Sequence, residues 1–302
     1  MLRDIWLIAK ETASDWLDDD ASRLAASLAF YTLLSLAPLV IIAVAVAGLV
    51  LGPEAARGQI AAELSAAVGR TAATGIQSVV ASAQSKASGT IGTIIGVVTL
   101  FVGASGVFGE LQYALNSIWE VRARPGRGLW GEVKDRLFSF TMVLGVAFLL
   151  LVSLLLSAAL SAVGHLFSSQ LPGGELAWQI CNFVFSLAMI TGLFALILKY
   201  VPDVEIAWAD VWAGAAVTAL LFTIGKSLLG IYLGKASIGS SYGAAGSLVV
   251  LVVWVYYSAQ ILFLGAEFTQ VRARLRGRSI RPTKKAVAFQ RGSGLGEPRP
   301  QH

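Results

Sequence analysis

Six long apolar stretches constrain this chain more than any other feature. A helix needs about 20 mostly apolar residues to cross the hydrocarbon layer of a bilayer. Backbone polar groups in lipid must be paired within the segment, and the stretches lack the alternation of barrel strands, so helices are predicted. The fold class is therefore all-α, a polytopic membrane protein with six transmembrane helices. The predicted spans are Leu28–Leu51, Ile91–Tyr113, Phe138–His165, Trp178–Val201, Val211–Leu233 and Gly246–Phe268.

The composition excludes an ordinary soluble domain. Hydrophobic residues make up 56% of the 302 residues and charged residues 14%, so lipid is the expected solvent for most of the chain. One cysteine, Cys181, cannot form an internal disulfide, and two histidines make a histidine-based metal centre a poor expectation. We therefore predict no cofactor and no metal site.

Three regions follow from this pattern. Residues 1–27 are predicted to be a cytoplasmic, amphipathic N-terminal segment. Acidic residues interrupt its apolar residues, whereas a cleaved signal peptide has a continuous apolar region. Residues 28–270 are the six-helix transmembrane domain. Residues 271–302 are a basic cytoplasmic tail, predicted to be disordered beyond about Arg278 because it is rich in Gly, Pro and charge.

The distribution of Lys and Arg predicts that both termini are cytoplasmic. With the N-terminus inside, 18 of these residues lie in cytoplasmic segments, 4 lie in outer loops and Lys226 lies within the fifth span. Such an excess is typical of cytoplasmic loops. The basic tail is interpreted as a topology anchor and a contact for anionic lipids, rather than as a nucleic-acid-binding arm.

The outer loop between the first two spans, residues 52–89, is predicted to contain one or two amphipathic helices. Ile60, Leu64 and Val68 recur at i, i+4 and i+8, which is helical periodicity. Such helices would lie at the outer membrane surface or cap the bundle. The alternative, a structureless connector, is disfavoured by the length of the loop.

Polar side chains recur along single faces of the first, second and sixth spans. Polar groups within a membrane usually face a bundle interior or a watery cavity. Faces of small residues are more often helix contacts, so packing is the alternative. Pro38 should kink the first span, either as packing geometry or as a hinge. The candidate substrate path consists of Tyr31, Ser35, Pro38, Gln112, Asn116, Lys226, Tyr256 and Gln260.

Lys226 has two interpretations. It lies about five residues, or roughly 7–8 Å, from the middle of the fifth span. Its long stem could snorkel to the outer surface. Alternatively, its ammonium group lines a path for an anionic substrate or couples to proton movement.

Charged residues near the inner ends of three spans form a second group. Glu267 lies about 15 Å from the middle of the sixth span, at the edge of the hydrocarbon layer. Pairing with Arg23 or with the arginine cluster that begins at Arg272 would explain this position structurally. The candidate inner-boundary ion-pair residues are Arg23, Glu110 and Glu267.

A Gly- and Ser-rich turn precedes the sixth span. The free N–H groups at a helix N-terminus can receive an anion. The candidate anion-receiving residues are Ser240, Ser241, Tyr242 and Gly243.

Several catalytic motifs are missing from the sequence. It contains no Walker glycine loop and no H-E-x-x-H, and its matches to G-x-G-x-x-G (residues 126–131) and to G-x-S-x-G (residues 239–243) lie in connections between predicted spans rather than between a strand and a helix. A hydrolase needs an acid, a base and an electrophile that converge on one site, and this sequence has few polar residues that could supply them. We therefore predict that the protein is not an enzyme.

Four motifs resemble the YihY/BrkB family of bacterial inner-membrane proteins, in that family's order. They are DDDASRLAASLAFYTLLSLAPL, GVFGELQYALNSIWEV, YVPDVEIAWADVWAGAAVTALLFTIGKSLLGIYL and SSYGAAGSLVVLVVWVYYSAQILFLGAEFTQ, and the similarity covers about Asp18 to Arg274. The matching positions are Ala25, Tyr31, Ser35, Pro38, Asn116, Trp119, Pro202, Asp203, Tyr242, Gly243, Trp254, Tyr257, Gly265 and Glu267. The resemblance implies six helices in the bacterial inner membrane and no established catalytic residue.

The resemblance also implies candidate functions. Some members are proposed transporters, including for lipid-like substrates, and one branch is linked to serum resistance. Members have carried a ribonuclease label that the residues here disfavour, since no nuclease metal site is visible. We predict a transporter or permease for an anionic or amphipathic substrate. The alternatives are a non-transporting lipid-binding or envelope assembly factor and, last, a ribonuclease. The expected partners are anionic lipids and not nucleic acid. The protein could also form a homo-oligomer.

Overall fold

Helices dominate the structure. A computed structural model describes residues 2–68, 73–74, 77, 106–124, 174–235, 246–278 and 280–289. The helices are α1 (Leu2–Asp18), α2 (Ala21–Leu51), α3 (Pro53–Val68), α4 (106–118), α5 (Gly174–Tyr200), α6 (Trp208–Lys235) and α7 (Gly246–Leu275). The strands are β1 (Val121–Ala123), β2 (Val204–Glu205), β3 (Arg281–Pro282) and β4 (Ala286–Ala288). The expectation of a mostly helical protein is confirmed.

Three of the described helices are long and apolar enough to cross a membrane. The qualifying stretches are Phe183–Tyr200 in α5, Trp208–Leu228 in α6 and Val249–Leu275 in α7. They correspond to the predicted fourth, fifth and sixth spans. On the outward sides of α5 and α6, large apolar side chains such as Phe183 and Leu228 are exposed, as expected where lipid replaces water.

The remaining predicted spans are described in part or not at all. The first lies within α2, whose helical assignment runs through Pro38. Only residues 106–113 of the second span are described, as part of α4, and the third span lies outside the described residues. The predicted outer loop contains α3, which packs against α2, and residues 78–89 also lie outside the described part.

The core lies at one end of the bundle, where α4 meets α2, α5, α6 and α7. Trp119, Leu115, Leu198 and Phe263 are almost completely buried there. The four short strands cover this end, which we call the strand end. Residues in left-handed backbone conformations close two of its helices: Glu120 (φ 51°) follows α4, and Gly277 (φ 67°) follows α7.

The C-terminal tail corrects the sequence prediction. Beyond Arg278, β3 pairs antiparallel with β2, and β4 pairs antiparallel with β1. The expected disorder is therefore wrong for residues 281–288, because their backbone groups find partners in two distant connections of the chain. The helix before the tail also continues past residue 271, to Leu275. Residues 290–302 lie outside the described region.

Candidate functional site

Asp203 joins three parts of the strand end. The side-chain amide of Asn116 donates to Asp203 Oδ2 (3.0 Å), and Asn116 Oδ1 accepts the backbone N–H of Asp203 (2.7 Å). Gln112 Nε2 donates to the same carboxylate oxygen (3.2 Å). The carbonyl group of Asp203 accepts the N–H of Thr283 (2.9 Å). This network connects α4 to the α5–α6 connection and to the tail.

A cavity of about 390 Å³ lies beside this network. Its wall combines the carboxyl groups of Asp203 and Glu120 and the guanidinium group of Arg122 with apolar and aromatic side chains. The guanidinium carbon of Arg122 lies 5.0 Å from the centre of the Phe289 ring, a cation–π contact that fixes the cation at the rim. The lining residues are Gly109, Gln112, Tyr113, Asn116, Ser117, Glu120, Val121, Arg122, Ala123, Asp203 and Phe289.

Polar contacts continue from this region along the interface of α2 and α4. The hydroxyl group of Ser27 on α2 donates to the Glu110 carboxylate on α4. One turn farther along, the absence of a side chain at Gly106 leaves room for α2: a Cβ there would lie 3.7 Å from Tyr31 Cδ1 and 3.9 Å from Ser35 Oγ. Tyr31 is 40% exposed, whereas Ser35 is buried. The structure therefore brings Tyr31 and Ser35 to the same interface as α4.

The predicted path residues on α6 and α7 have different surroundings from one another. Tyr256 packs against the core, and the side-chain oxygen of Gln260 is buried without a hydrogen-bond partner among the described residues. Lys226 is exposed on α6 and lies beside the buried Gly225, which faces Tyr257. The side chain of Pro38 and the predicted anion-receiving turn, Ser240 to Gly243, lie outside the described residues.

The three predicted boundary residues lie in different surroundings. Arg23, in the first turn of α2, pairs with Asp20 (3.7 Å), the residue just before that helix, and both side chains are exposed. Glu110 accepts from Ser27, as described above. Glu267 is completely buried between α7 and α1, beside the carboxyl groups of Asp15 and Asp19 and near Arg274. Of the two partners expected for Glu267, Arg23 contacts Asp20 instead, whereas the arginine cluster that begins at Arg272 supplies Arg274.

Sequence reasoning missed the densest charge cluster of the strand end. The completely buried carboxylate of Asp210, in the first turn of α6, faces three arginines from the end of α7. Arg272 Nε lies 3.5 Å and Arg276 Nη1 3.6 Å from Asp210 Oδ1, and Arg278 contacts Oδ2. The i, i+4 spacing of Arg272 and Arg276 was the available signal, since it puts both on one face.

The apolar spans and the polar network at their end define a helical membrane protein. The family model described as Virulence factor BrkB matches residues 12–289, so the chain belongs to the BrkB family. The resemblance drawn from the four motifs is thereby confirmed.

Curated relatives share this membrane assignment. A UPF0761 membrane protein of Tolumonas auensis is 33% identical over 200 residues, which is 63% of this chain and 62% of the relative. One from Verminephrobacter eiseniae is 30% identical over 273 residues, 88% of this chain and 62% of the relative. One from Albidiferax ferrireducens is 32% identical over 57% of this chain and 39% of the relative. The chain thus matches less than two thirds of these relatives' lengths, and no solved structure matches it.

Proposed function

We propose that this protein moves amphipathic, lipid-like substrates across the bacterial inner membrane. The observation that carries the proposal is the mixed chemistry of the cavity at the strand end. Arg122, Asp203 and the amide of Gln112 can contact a polar or zwitterionic headgroup, and Tyr113, Val121 and Phe289 can contact its apolar part. Sites for amphipathic ligands combine apolar walls with a few placed polar groups in this way.

The polar interface of α2 and α4 supports a path that leaves this cavity. Ser27, Glu110 and Ser35 follow one another along that interface from the strand end toward the interior of the predicted membrane domain. Polar groups within a membrane cost free energy unless they are hydrogen-bonded or contact water or substrate. We propose that the headgroup follows this interface while the acyl chains stay in lipid.

The proposed topology has six spans with both termini in the cytoplasm, so the strand end faces the cytoplasm. The support is the excess of Lys and Arg in the segments on that side, together with the arginines of α7 and its tail. Anionic lipids are the proposed partners of the tail's basic residues. Reporter fusions at the C-terminus and in the outer loop test this topology, and an extracytoplasmic C-terminus would overturn it.

Flux in liposomes tests the transport function. Purified protein is reconstituted with fluorescent lipids that differ in headgroup, and movement between leaflets is followed by chemical quenching from outside. Arg122→Gln should slow that movement at least several-fold, because it removes the cation at the cavity rim. Arg124→Gln is the matched control: it removes the same charge two residues along, from a side chain outside the cavity lining. Equal rates for wild type and both variants would count against the proposal.

A non-transporting lipid-binding or envelope assembly factor is the second candidate. Two observations favour it: Lys226 is exposed on α6, and the carboxylate of Asp203 is already held by two amides. It predicts saturable lipid binding that depends on Arg122 but no movement between leaflets. Loss of flux with Lys226→Met but not with Arg122→Gln would place the path on α6 and overturn the cavity proposal.

We propose no enzymatic activity, and we rank a ribonuclease last. Among the described residues, no group of three or more His, Cys, Asp and Glu side chains could hold a metal ion. Metal-supplemented RNA cleavage by the pure protein, abolished by a single substitution, would reverse this ranking.

A further inference from the structure

Helix α1 packs on the bundle with a mixed face, which carries Trp16 as well as acidic side chains. Its acidic face is turned inward, against the end of α7. Arg274 Nη2 lies 2.7 Å from Asp15 Oδ2 and 3.4 Å from Glu11 Oε2, and Thr12 on the same face is buried. The polar side of α1 is therefore occupied by its contact with the bundle.

Other large apolar side chains of α1 are exposed on the outside of the helix. Trp6 is 64% exposed, Leu7 40% and Leu17 67%. Trp6 and Leu17 are eleven residues apart, which is three helical turns, so they lie along one line. Lys10 lies between them, and its ammonium group is 5.5 Å from the centre of the Trp6 ring.

The position of α1 identifies what covers this face. Only Asp19 and Asp20 separate α1 from α2, and α1 packs on the end of α7 that carries Arg274. At the same end of the bundle, Trp208 and Trp212 are exposed at the start of α6. Exposed tryptophans at the ends of spans mark the headgroup level of a bilayer. The exposed face of α1 therefore lies at that level.

We propose that α1 is an interfacial helix that inserts Trp6 and Leu17 into the headgroup and acyl boundary of the bilayer. Lys10 then reaches lipid phosphates, while Glu11 and Asp15 hold the helix to Arg274. Apolar residues with an interspersed cation on one face are typical of helices that lie in the plane of a membrane. This interaction surface requires no transport activity, so its test is independent of the proposed function.

Site-directed spin labelling of the full chain in vesicles tests the proposal. The single native cysteine, Cys181, is exposed and is replaced by serine. One label is attached at Leu17→Cys and a control label at Asp18→Cys, the adjacent exposed position, which is rotated by about 100°. The vesicles contain phosphatidylethanolamine and phosphatidylglycerol, and collision rates are measured with oxygen and with a water-soluble nickel complex.

At position 17 we expect oxygen collisions to exceed nickel collisions several-fold, with the opposite order at position 18. A label at 17 that nickel reaches freely would overturn the proposal. A label at 17 shielded from both reagents would also overturn it, because it would mean that a second copy or another protein covers the face. If Leu17→Cys does not fold, the quenching of Trp6 by brominated lipids, compared with Trp6→Phe, gives the same decision.

Discussion

Thr269 on α7 fills the space opposite Gly214 on α6, since a Cβ at Gly214 would come within 1.8 Å of Thr269 Oγ1. The relationship is reciprocal, because a Cβ at Gly265 on α7 would come within 1.8 Å of Thr218 Oγ1 on α6. Each threonine hydroxyl donates to the glycine carbonyl four residues earlier on its own helix, Thr218 to Gly214 and Thr269 to Gly265. The two helices thus approach closely without leaving a buried hydroxyl unpaired.

Alanine at Gly214 should push α6 and α7 apart. We expect Gly214→Ala to lower the free energy of unfolding by about 1–3 kcal/mol, the usual cost of overpacking. The measurement is reversible unfolding in detergent. Gly192→Ala on α5 is the matched control, because nothing lies within 4 Å of a Cβ at that position. It should be neutral or stabilising by up to about 1 kcal/mol, from helix propensity.

A second-site change tests the geometry of this contact. Thr269→Ala in the Gly214→Ala background removes the hydroxyl oxygen that meets the new Cβ. The double variant should be more stable than Gly214→Ala alone, because the two changes act on one contact and are not additive. Strictly additive losses would show that the helices do not meet at these residues.

Asp210→Asn should destabilise the strand end. The amide group cannot balance the charges of Arg272, Arg276 and Arg278, which would then repel one another. Loss of one partner from a buried ion pair costs about 3–5 kcal/mol, and we expect roughly 1–3 kcal/mol because the arginines are partly exposed and can turn to water. Asp20→Asn, which breaks the exposed pair with Arg23, should cost less than about 1 kcal/mol. Equal losses for the two variants would contradict the assignment.

Asn116→Ala should loosen the connection between α4, the α5–α6 connection and the tail. It removes two hydrogen bonds to Asp203 and leaves the partly buried backbone N–H of Asp203 without its acceptor, so we expect a loss of about 1–3 kcal/mol. Gln112→Ala removes one longer bond and should cost less than about 1 kcal/mol. Hydrogen exchange gives a local readout: the Thr283 amide should exchange faster in Asn116→Ala only.

Truncation tests the role of the tail. Removal of residues 280–302 eliminates β3 and β4, so the amides of β1 and β2 should exchange faster and the unfolding temperature should fall by several degrees. Removal of residues 290–302 alone keeps every described strand pair and serves as the control. If both truncations behave like the full chain, residues 280–289 do not stabilise the bundle.

Three described spans could be predicted from the sequence, whereas the partners of the polar residues could not. The predicted spans Trp178–Val201, Val211–Leu233 and Gly246–Phe268 were recognisable because lipid imposes a length and an apolar composition on each segment independently. Glu267 was expected to pair with Arg23 or with the arginine cluster that begins at Arg272; Arg23 contacts Asp20, and Arg274 of that cluster lies near Glu267. Opposite charge alone therefore does not predict which of several possible partners the fold brings close to a given residue.

The tail shows a different reason for failure. β3 has two residues and β4 three, too few for the alternation by which a strand is recognised. They are ordered because their backbone groups have partners far away in the sequence: β3 pairs with β2, about 80 residues earlier, and β4 pairs with β1, about 165 residues earlier. The basic tail that begins at Arg272 was interpreted as a contact for anionic lipids. Its arginines at 272, 276 and 278 share a partner, Asp210, which lies on another helix and could not be identified from the sequence.

The pairing of β4 with β1 and of β3 with β2 imposes an order on biosynthesis. Residues 281–288 leave the ribosome after every helix described here, yet they complete sheets whose other halves were made much earlier. Until then, the backbone groups of β1 and β2 have no strand partner. The sheets of the strand end can therefore form only after the last helix has been made. Their formation is thus the final step in the assembly of the helices and strands described here.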